Sequence, residues 1–191
     1  MSDQFGFYVD TSRCIKCWAC EIACKQWNGI KAGTIARRWL VETDTGTFPD
    51  ANRLFVSTAC NHCEQPACVE QCPVGALTKR EEDGLVVVDK DTCIGCQTCA
   101  SAYPFGVPNY EPDTGKMDKC DGCLAAGRTP EGDPHCVAAC PTQALHFGAL
   151  DDMLELAAAK GGARLEGPTK PSTVIAQVEA GYFEEHPLPK E

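Results

Sequence analysis

The cysteines of this chain are grouped in four short motifs, and their spacing suits a particular chemistry. The chain has 15 cysteines among 191 residues. The motifs are Cys14-x2-Cys17-x2-Cys20-x3-Cys24, Cys60-x2-Cys63-x4-Cys68-x3-Cys72-Pro73, Cys93-x2-Cys96-x2-Cys99-x3-Tyr103-Pro104 and Cys120-x2-Cys123-x12-Cys136-x3-Cys140-Pro141. Thiolates two residues apart on a tight loop can bind neighbouring irons, and the N–H groups between them can point at cluster sulfurs. The spacing therefore predicts iron–sulfur clusters and a chain that carries electrons.

Disulfides and zinc sites are the alternatives to iron–sulfur ligation. Disulfides need an oxidising compartment and usually an even number of cysteines, and we expect no signal peptide on this chain. A lone C-x2-C pair would suit zinc. A third cysteine two residues further on, and a fourth directly before proline, favour iron–sulfur clusters instead.

Composition limits the size of the core and the kind of partner. Hydrophobic residues make up 43% of the chain, but cysteine is counted among them, and aromatic residues make up only 7%. We therefore expect bound clusters to supply much of the stability. The formal net charge is −10, which argues against nucleic acid as a partner. No apolar run approaches the roughly 20 residues of a membrane span.

The chain repeats itself, and the repeat predicts the fold class. The sequence from Val9 to Cys14 matches that from Val88 to Cys93, and Cys72-Pro73 to Leu77 matches Cys140-Pro141 to Leu145. Strands are predicted at Phe5–Val9, Leu54–Ser57 and Leu85–Val88, and a hairpin over residues 77–88 turning at Glu82-Asp83-Gly84. The pattern predicts an α+β protein, a duplicated bacterial-type ferredoxin fold with two two-cluster lobes. One lobe comprises residues 1–30 and 109–150, and the other comprises residues 53–108.

Three segments lie outside the repeat. Residues 31–52 form a connecting segment that we expect at the surface, with Arg37, Arg38 and Trp39 either in a partner contact or in a solvated loop. Residues 124–135 are predicted to form a polar loop with a solvated His135. A helix is predicted at Leu150–Ala159 because acidic residues fill its first turn and glycines follow it. The rest of residues 151–191 has too little apolar content for a core, so we expect an extended tail that contacts a partner or is mobile.

Several motifs resemble one known family. The sequences that carry the resemblance are Gly6 to Cys14, Cys60-Asn61-His62-Cys63 to Cys68, Lys119-Cys120-Asp121-Gly122-Cys123 and Ala144-Leu145-His146-Phe147-Gly148. Over residues up to about 150 the chain resembles the four-cluster iron–sulfur B subunit of molybdopterin oxidoreductases of the dimethyl sulfoxide reductase family. The resemblance implies that motif one pairs with motif four and motif two with motif three. The implied ligand sets are Cys14, Cys17, Cys20 and Cys140 for cluster one; Cys120, Cys123, Cys136 and Cys24 for cluster two; Cys60, Cys63 and Cys68 for cluster three; and Cys93, Cys96, Cys99 and Cys72 for cluster four.

The sequence departs from the family pattern at Tyr103, where a sixteenth cysteine is expected. In two-cluster ferredoxins the fourth cysteine of each run binds the other cluster, so the affected cluster is cluster three. Three outcomes are open: a [3Fe–4S] cluster, a [4Fe–4S] cluster completed by water or the tyrosine oxygen, or loss of the cluster. We favour three [4Fe–4S] clusters and one [3Fe–4S] cluster.

The resemblance implies that the chain transfers electrons and is not itself catalytic. The chain shows no P-loop, nucleophile–base pair or dinucleotide fingerprint, and for His62 we expect packing or hydrogen bonding. The implied role is a non-catalytic subunit of anaerobic respiration that relays electrons between a large molybdenum or tungsten molybdopterin subunit and a membrane anchor linked to quinone. We expect membrane association through partners, on the extracytoplasmic side by co-export or on the cytoplasmic face. A free-standing polyferredoxin, and the same subunit type in a formate dehydrogenase or hydrogenase complex, are the alternatives.

Overall fold

The architecture of the chain is a mixture of short helices and strands. A computed structural model describes residues 4–33, 35–102 and 106–176; Tyr103 and the last fifteen residues lie outside these ranges. The strands are β1 (Phe5–Val9), β2 (Arg38–Thr45), β3 (Asn52–Ala59), β4 (Leu77–Lys79), β5 (Val86–Val88), β6 (Asn109–Glu111), β7 (Lys116–Asp118), β8 (Leu145–Ala149), β9 (Ala163–Arg164) and β10 (Thr173–Ile175). The helices are α1 (Ala19–Trp27), α2 (Ala67–Glu70), α3 (Thr98–Ala102), α4 (His135–Ala138) and α5 (Leu150–Ala158). The α+β class predicted from the sequence is confirmed.

A four-stranded sheet has the order β8-β1-β10-β9. Strand β1, rich in aromatic and β-branched residues, is almost wholly buried because it has a neighbour on both edges. It pairs antiparallel with β8 along its whole length, from Phe5 opposite Ala149 to Val9 opposite Leu145. On its other edge it pairs in parallel with β10. The predicted strand Phe5–Val9 is therefore the centre of this sheet.

Three antiparallel hairpins complete the strand pairing within the described ranges. The hairpin of β4 and β5 aligns Leu77 with Val88, so the hairpin predicted over residues 77–88 is confirmed. Strands β6 and β7 form a second one. Strands β2 and β3 form the longest, with eight residue pairs from Arg38 opposite Ala59 onward.

The helices near the cysteines are short and follow a common pattern. Helices α2 and α4 each begin directly after a proline, Pro66 and Pro134, whose fixed φ suits the start of a helix. Helix α1 packs against α4, and α2 packs against α3. Among the residues that the structure describes, no helix combines the length and apolarity that a membrane crossing requires.

Two expectations about segments outside the repeat are wrong. Residues 31–52 are not simply a surface connection, because they contain the eight-residue strand β2 and Arg38 is 1% exposed. Helix α5 is confirmed and packs on β1 and β10 through Leu150, Met153 and Ala157. Residues 163–176 do not form an extended tail, since β10 is buried beside β1; the rest of the predicted tail, residues 177–191, lies outside the described residues. Backbone pairing with β1 and the burial of Val174, Ile175 and Ala176 hold this part of the segment in the sheet.

Candidate cluster-binding sites

The thiols lie mostly inside the molecule, and none is part of a disulfide. Only Cys17 and Cys96 are exposed. These two occupy the same position of motifs one and three, the second cysteine of each run. Most of the cysteines are therefore shielded from water, while one thiol of motif one and one of motif three reach the surface.

Cys14 interacts with thiols from both ends of the sequence. Burial raises its pKa, and the negative charges of Cys20, Cys140 and Cys17 raise it further. Cys17 and Cys20 belong to its own motif, whereas Cys140 ends motif four. The antiparallel pairing of β1 with β8 explains the approach, because motif one follows β1 and Cys140 shortly precedes β8.

Cys24, the last cysteine of motif one, interacts with thiols of another motif. Burial raises its pKa strongly, and the charges of Cys120, Cys136 and Cys123 add to the effect, opposed by Arg38. All three thiols belong to motif four. The packing of α1 on α4 brings them together, since Cys24 lies on α1 and Cys136 on α4.

Cys68 on α2 interacts with the first two cysteines of motif two, Cys60 and Cys63. Burial raises the pKa of Cys68 to about 12, and the charges of Cys60, Cys63 and Cys99 raise it as well, while Lys119 opposes them. The position expected to complete this set, Tyr103, lies outside the described residues.

Cys99 on α3 interacts with the last cysteine of motif two. Its pKa is raised by burial first and then by the charges of Cys72, Cys93 and Cys96. Cys93 and Cys96 are its own motif, and Cys72 follows α2. The packing of α2 on α3 brings thiols of motifs two and three together. The packing of α1 on α4 does the same for motifs one and four.

The backbone around the thiols is left-handed at one position that recurs in all four motifs. The residue before the second cysteine of each motif has a positive φ; these residues are Lys16, His62, Gly95 and Gly122. Left-handed backbone is unfavourable for residues other than glycine and is concentrated at functional sites. It turns the loop so that N–H groups can face sulfur: Gly122 N–H donates to Cys120 Sγ at 3.4 Å.

The turns after the two Cys-Pro pairs are equivalent in detail. Ala76 N–H donates to Cys72 Sγ at 3.2 Å, and Ala144 N–H donates to Cys140 Sγ at the same distance. At Cys140, burial would raise the pKa, but hydrogen bonds from Ala144, Thr142 and Leu145 outweigh it and lower the pKa. These donors favour a negatively charged sulfur.

Two basic side chains that the sequence did not single out for the site lie among the thiols. Arg38 is 1% exposed and Lys119 is 3% exposed. Arg38 Nε and Nη2 have no partner among the described residues, and Lys119 Nζ donates to Cys60 Sγ at 3.6 Å. No pattern marks Arg38 as buried, whereas Lys119 directly precedes Cys120 in a motif that carried the resemblance. Both alternatives expected for Arg38, a partner contact or a solvated loop, are wrong.

Arg37 also differs from expectation, because its side chain binds a carboxylate within the same chain. Its guanidinium makes two hydrogen bonds to Asp118, at 2.7 and 2.8 Å. Burial would raise the pKa of Asp118, but Arg37 and Lys90 hold that pKa below its usual value. The charge of Arg37 is therefore neutralised by a buried carboxylate, in contrast to that of Arg38.

Both histidines next to cysteines are buried. His62 is fully buried and its Nδ1 accepts a hydrogen bond from Val86 N–H at 3.0 Å. Burial and four nearby cations, Lys119 first among them, keep its pKa well below the usual value, so the hydrogen-bonding role predicted for His62 is confirmed. His135 was expected in solvent and is instead stacked on Trp27, with ring centroids 3.8 Å apart.

The C-terminal segment (residues 163–176) holds the loop of motif two. Thr169 Oγ1 donates to Cys63 Sγ at 3.2 Å. Ser172 N–H donates to the Asn61 carbonyl oxygen, and Thr173 Oγ1 to the Asn61 side chain, each at 2.8 Å. Residues that the sequence assigned to a tail therefore position the loop between Cys60 and Cys63.

The donor set fits iron–sulfur clusters. The unpartnered nitrogens of Arg38 lie buried among thiols, where an anionic group would satisfy them. Among the described residues, no three or more histidine, cysteine or acidic side chains converge on a single metal ion. Cluster ligation does not require such convergence, because each thiolate of a cluster binds a different iron. Thiols at cluster-ligating spacing, together with N–H groups that point at sulfur, place the chain in the class of iron–sulfur proteins.

Comparison with known proteins identifies the family within that class. Residues 51–150 match the family model of the 4Fe-4S dicluster domain. The B subunit of anaerobic dimethyl sulfoxide reductase from Escherichia coli is 44% identical over 162 residues, which cover 80% of this chain and 77% of that protein. The corresponding B subunit from Haemophilus influenzae is 38% identical, covering 79% and 77%. Protein NrfC of Escherichia coli is 41% identical, covering 78% and 67%. The protein therefore belongs to this family of iron–sulfur electron-transfer subunits, and the resemblance stated from its motifs is confirmed.

Proposed function

We propose that the chain holds four clusters and relays electrons between a molybdopterin catalytic subunit and a membrane partner linked to quinone. The ligand sets are Cys14, Cys17, Cys20 and Cys140 for cluster one; Cys24, Cys120, Cys123 and Cys136 for cluster two; Cys60, Cys63 and Cys68 for cluster three; and Cys72, Cys93, Cys96 and Cys99 for cluster four. One observation carries the proposal: Cys14, Cys24 and Cys99 each interact with thiols of their proposed set from a second motif.

Cluster three is the exceptional one. Its set has three thiols, and the fourth position is Tyr103. A phenol with a pKa near 10 is a hard and mostly protonated ligand at neutral pH, poorly suited to iron in a sulfur cage. We therefore propose a [3Fe–4S] cluster here and [4Fe–4S] clusters at the other three sites.

The same pairings support a duplicated organisation. In one proposed lobe (residues 1–30 and 109–150), β1 pairs with β8 and α1 packs on α4. In the other (residues 53–108), β4 pairs with β5 and α2 packs on α3. Each lobe would then hold two clusters, as a bacterial two-cluster ferredoxin does.

The residues of this chain would bind the clusters, shield them from water and adjust their reduction potentials. When bound, an iron–sulfur cluster accepts and releases a single electron. The thiolates fix the positions of the irons, and N–H groups such as those of Ala76 and Ala144 donate to ligand sulfurs. Burial of most thiols excludes water, which together with hydrogen bonding sets the reduction potential. The exposed Cys17 and Cys96 belong to sets one and four, so we propose that electrons enter and leave through clusters one and four.

The partners follow from the family. Relatives named as one lettered chain of a dimethyl sulfoxide reductase are parts of a reductase with other chains, so we propose a larger molybdopterin subunit as the catalytic partner of this protein. We propose that association with a membrane comes through a separate anchor subunit.

Purification of the tagged chain from anaerobically grown cells tests this proposal. The expected result is a stoichiometric complex with a larger subunit that contains molybdopterin, and about fifteen irons in this chain if every site is filled. A stable, fully loaded monomer at native abundance would contradict it and favour a free-standing polyferredoxin. A large partner that oxidises formate or hydrogen would instead favour the second alternative.

A further inference from the structure

Arg38 is a buried cation placed between two of the proposed clusters. The charges that act most strongly on its guanidinium are those of Cys136, Cys20, Cys120 and Cys24. Cys20 belongs to cluster set one, and the other three belong to cluster set two. Helix α1, which carries Cys20 of set one and Cys24 of set two, packs on β2, which begins at Arg38. Arg38 therefore adjoins both sets.

The surroundings of Arg38 leave part of its guanidinium free for an anionic neighbour. Nη1 donates to Ser57 Oγ at 3.1 Å, and Ser57 Oγ lies 3.4 Å from Cys20 Sγ. The guanidinium carbon lies 4.4 Å from the centre of the Phe7 ring. Nε and Nη2 are buried without a partner in the described part of the chain. Burying an unpaired cation is costly, so its retention requires negative charge at this place.

Lys119 occupies the corresponding position between sets two and three. Its Nζ donates to Cys60 Sγ of set three at 3.6 Å and to the carbonyl oxygen of Cys120 of set two at 2.8 Å. A third hydrogen bond goes to the Val86 carbonyl oxygen. Lys119 therefore contacts a ligand sulfur of set three and the backbone of a ligand of set two.

Set four has no such cation among the residues that the structure describes. Arg38 and Lys119 are the two buried arginine or lysine residues of the described chain. The charges acting on Cys99 of set four are those of other thiols. Lys116, which donates to the Cys93 carbonyl oxygen, is only partly buried.

We propose that the fixed positive charges of Arg38 and Lys119 raise the reduction potentials of the neighbouring clusters. Arg38 acts on clusters one and two, and Lys119 acts on clusters two and three. The proposal rests on the ligand sets proposed above. An added electron makes a cluster more negative, and a fixed cation in a medium of low dielectric constant stabilises that reduced form. Cluster two, beside both cations, gains most. The reduced form of cluster four is stabilised least, because neither cation lies beside it, so its reduction potential is expected to be the least raised.

Redox titration of the complex followed by EPR tests this. Each cluster is assigned with single Cys→Ser variants of its ligand set. Arg38→Gln is expected to reduce the electron affinity of clusters one and two by about tenfold or more, which is about 59 mV for a one-electron couple. Lys119→Met is expected to do the same for clusters two and three. Cluster four is expected to stay unchanged in both variants.

Arg53→Gln is the matched control, because it removes the same charge from the same β2–β3 hairpin at an exposed ion pair with Asp44. It is expected to leave all four potentials unchanged. Unchanged potentials in fully loaded Arg38→Gln and Lys119→Met, or equal shifts of all four clusters, would overturn the inference. Wild-type protein without four clusters would instead refute the proposed function.

A neutral variant that fails to assemble its clusters is also informative. In that case the charge-conserving Arg38→Lys and Lys119→Arg are compared with the neutral variants for iron content. Restored iron, with the potential of the adjoining clusters within about tenfold in electron affinity of the wild type, supports the proposed role of the two charges. Iron loss in the charge-conserving variants as well would mean that side-chain shape and not charge matters, and would overturn it.

Discussion

Gly6 on β1 lies against the carbonyl oxygen of Ser172: a Cβ atom at position 6 would come 1.9 Å from that oxygen. The contact is between backbones, so no side-chain rotation can relieve it. Ser172 in turn donates to Asn61 in the loop of motif two. The absence of a side chain at position 6 therefore allows the C-terminal segment to hold the loop of proposed cluster three.

Replacing Gly6 is expected to destabilise the protein and to release iron from cluster three first. Gly6→Ala should cost about 2 kcal/mol or more, because overpacking against backbone forces a shift of the strand. Gly148 faces Gly6 across β1 and β8, and a Cβ there would meet only the flexible end of Met153, at 3.2 Å. Gly148→Ala is thus the control. Thermal unfolding by circular dichroism and iron analysis measure the difference, and equal melting of the two variants would contradict the account.

The hydroxyl of Thr169 is expected to raise the potential of cluster three. It donates to Cys63 Sγ at 3.2 Å, and a donor to a ligand sulfur favours the reduced state. Thr169→Val should lower that potential by roughly 40 mV, which corresponds to a hydrogen bond of about 1 kcal/mol. Thr142, whose hydroxyl lies 3.7 Å from Cys140 Sγ, provides the control, because it lies beside a ligand of cluster one and not of cluster three.

EPR-monitored titration of the two threonine variants should separate their effects. Thr142→Val is expected to lower the potential of cluster one and not of cluster three. The same cluster responding to both changes would show that the hydroxyls do not act locally.

The exchange of cysteines between motifs can be checked at Cys24. Cys24→Ser is expected to alter the spectrum of the cluster held by Cys120, Cys123 and Cys136, because the thiol of Cys24 interacts with those three. Cys20→Ser, a change in the same helix, is expected to alter cluster one. If Cys24→Ser changed the cluster of Cys14, Cys17 and Cys20 instead, the proposed pairing of motifs would be refuted.

The residue at position 103 is expected to decide whether cluster three is a [3Fe–4S] or a [4Fe–4S] cluster. We expect the oxidised protein to show the EPR signal of one [3Fe–4S] cluster and about fifteen irons in all. Tyr103→Cys should supply the sixteenth thiolate, convert that cluster to [4Fe–4S] and lower its potential.

Tyr103→Phe is the control, since it removes the phenol oxygen without adding a ligand. It should leave the [3Fe–4S] signal unchanged. A wild-type protein with sixteen irons and no [3Fe–4S] signal under anaerobic preparation would refute this prediction, and an altered cluster in Tyr103→Phe would identify the tyrosine oxygen as the ligand.

The sequence alone was sufficient for the local features. Cysteine spacing, the Cys-Pro turns and the strand at Phe5–Val9 depend on interactions within a few residues, so they are visible in the order of residue types. The hairpin over residues 77–88 and the helix beginning at Leu150 were predictable for the same reason. The family followed from the same motifs, because cluster ligation restricts the identity and spacing of many residues at once.

Tertiary structure alone decided which polar residues are buried and what they face. Arg38 has no pattern that marks it as interior. The β-branched run Thr173–Ile175 is too short to show where it packs, and pairing across more than 160 residues brings it beside β1. With the proposed ligand sets, the burial of Arg38 would be compensated by anionic groups from distant motifs, a long-range electrostatic balance that no local residue pattern records. The buried polar groups of this protein contact thiols from distant parts of the sequence, so only the tertiary structure shows which polar residues are buried.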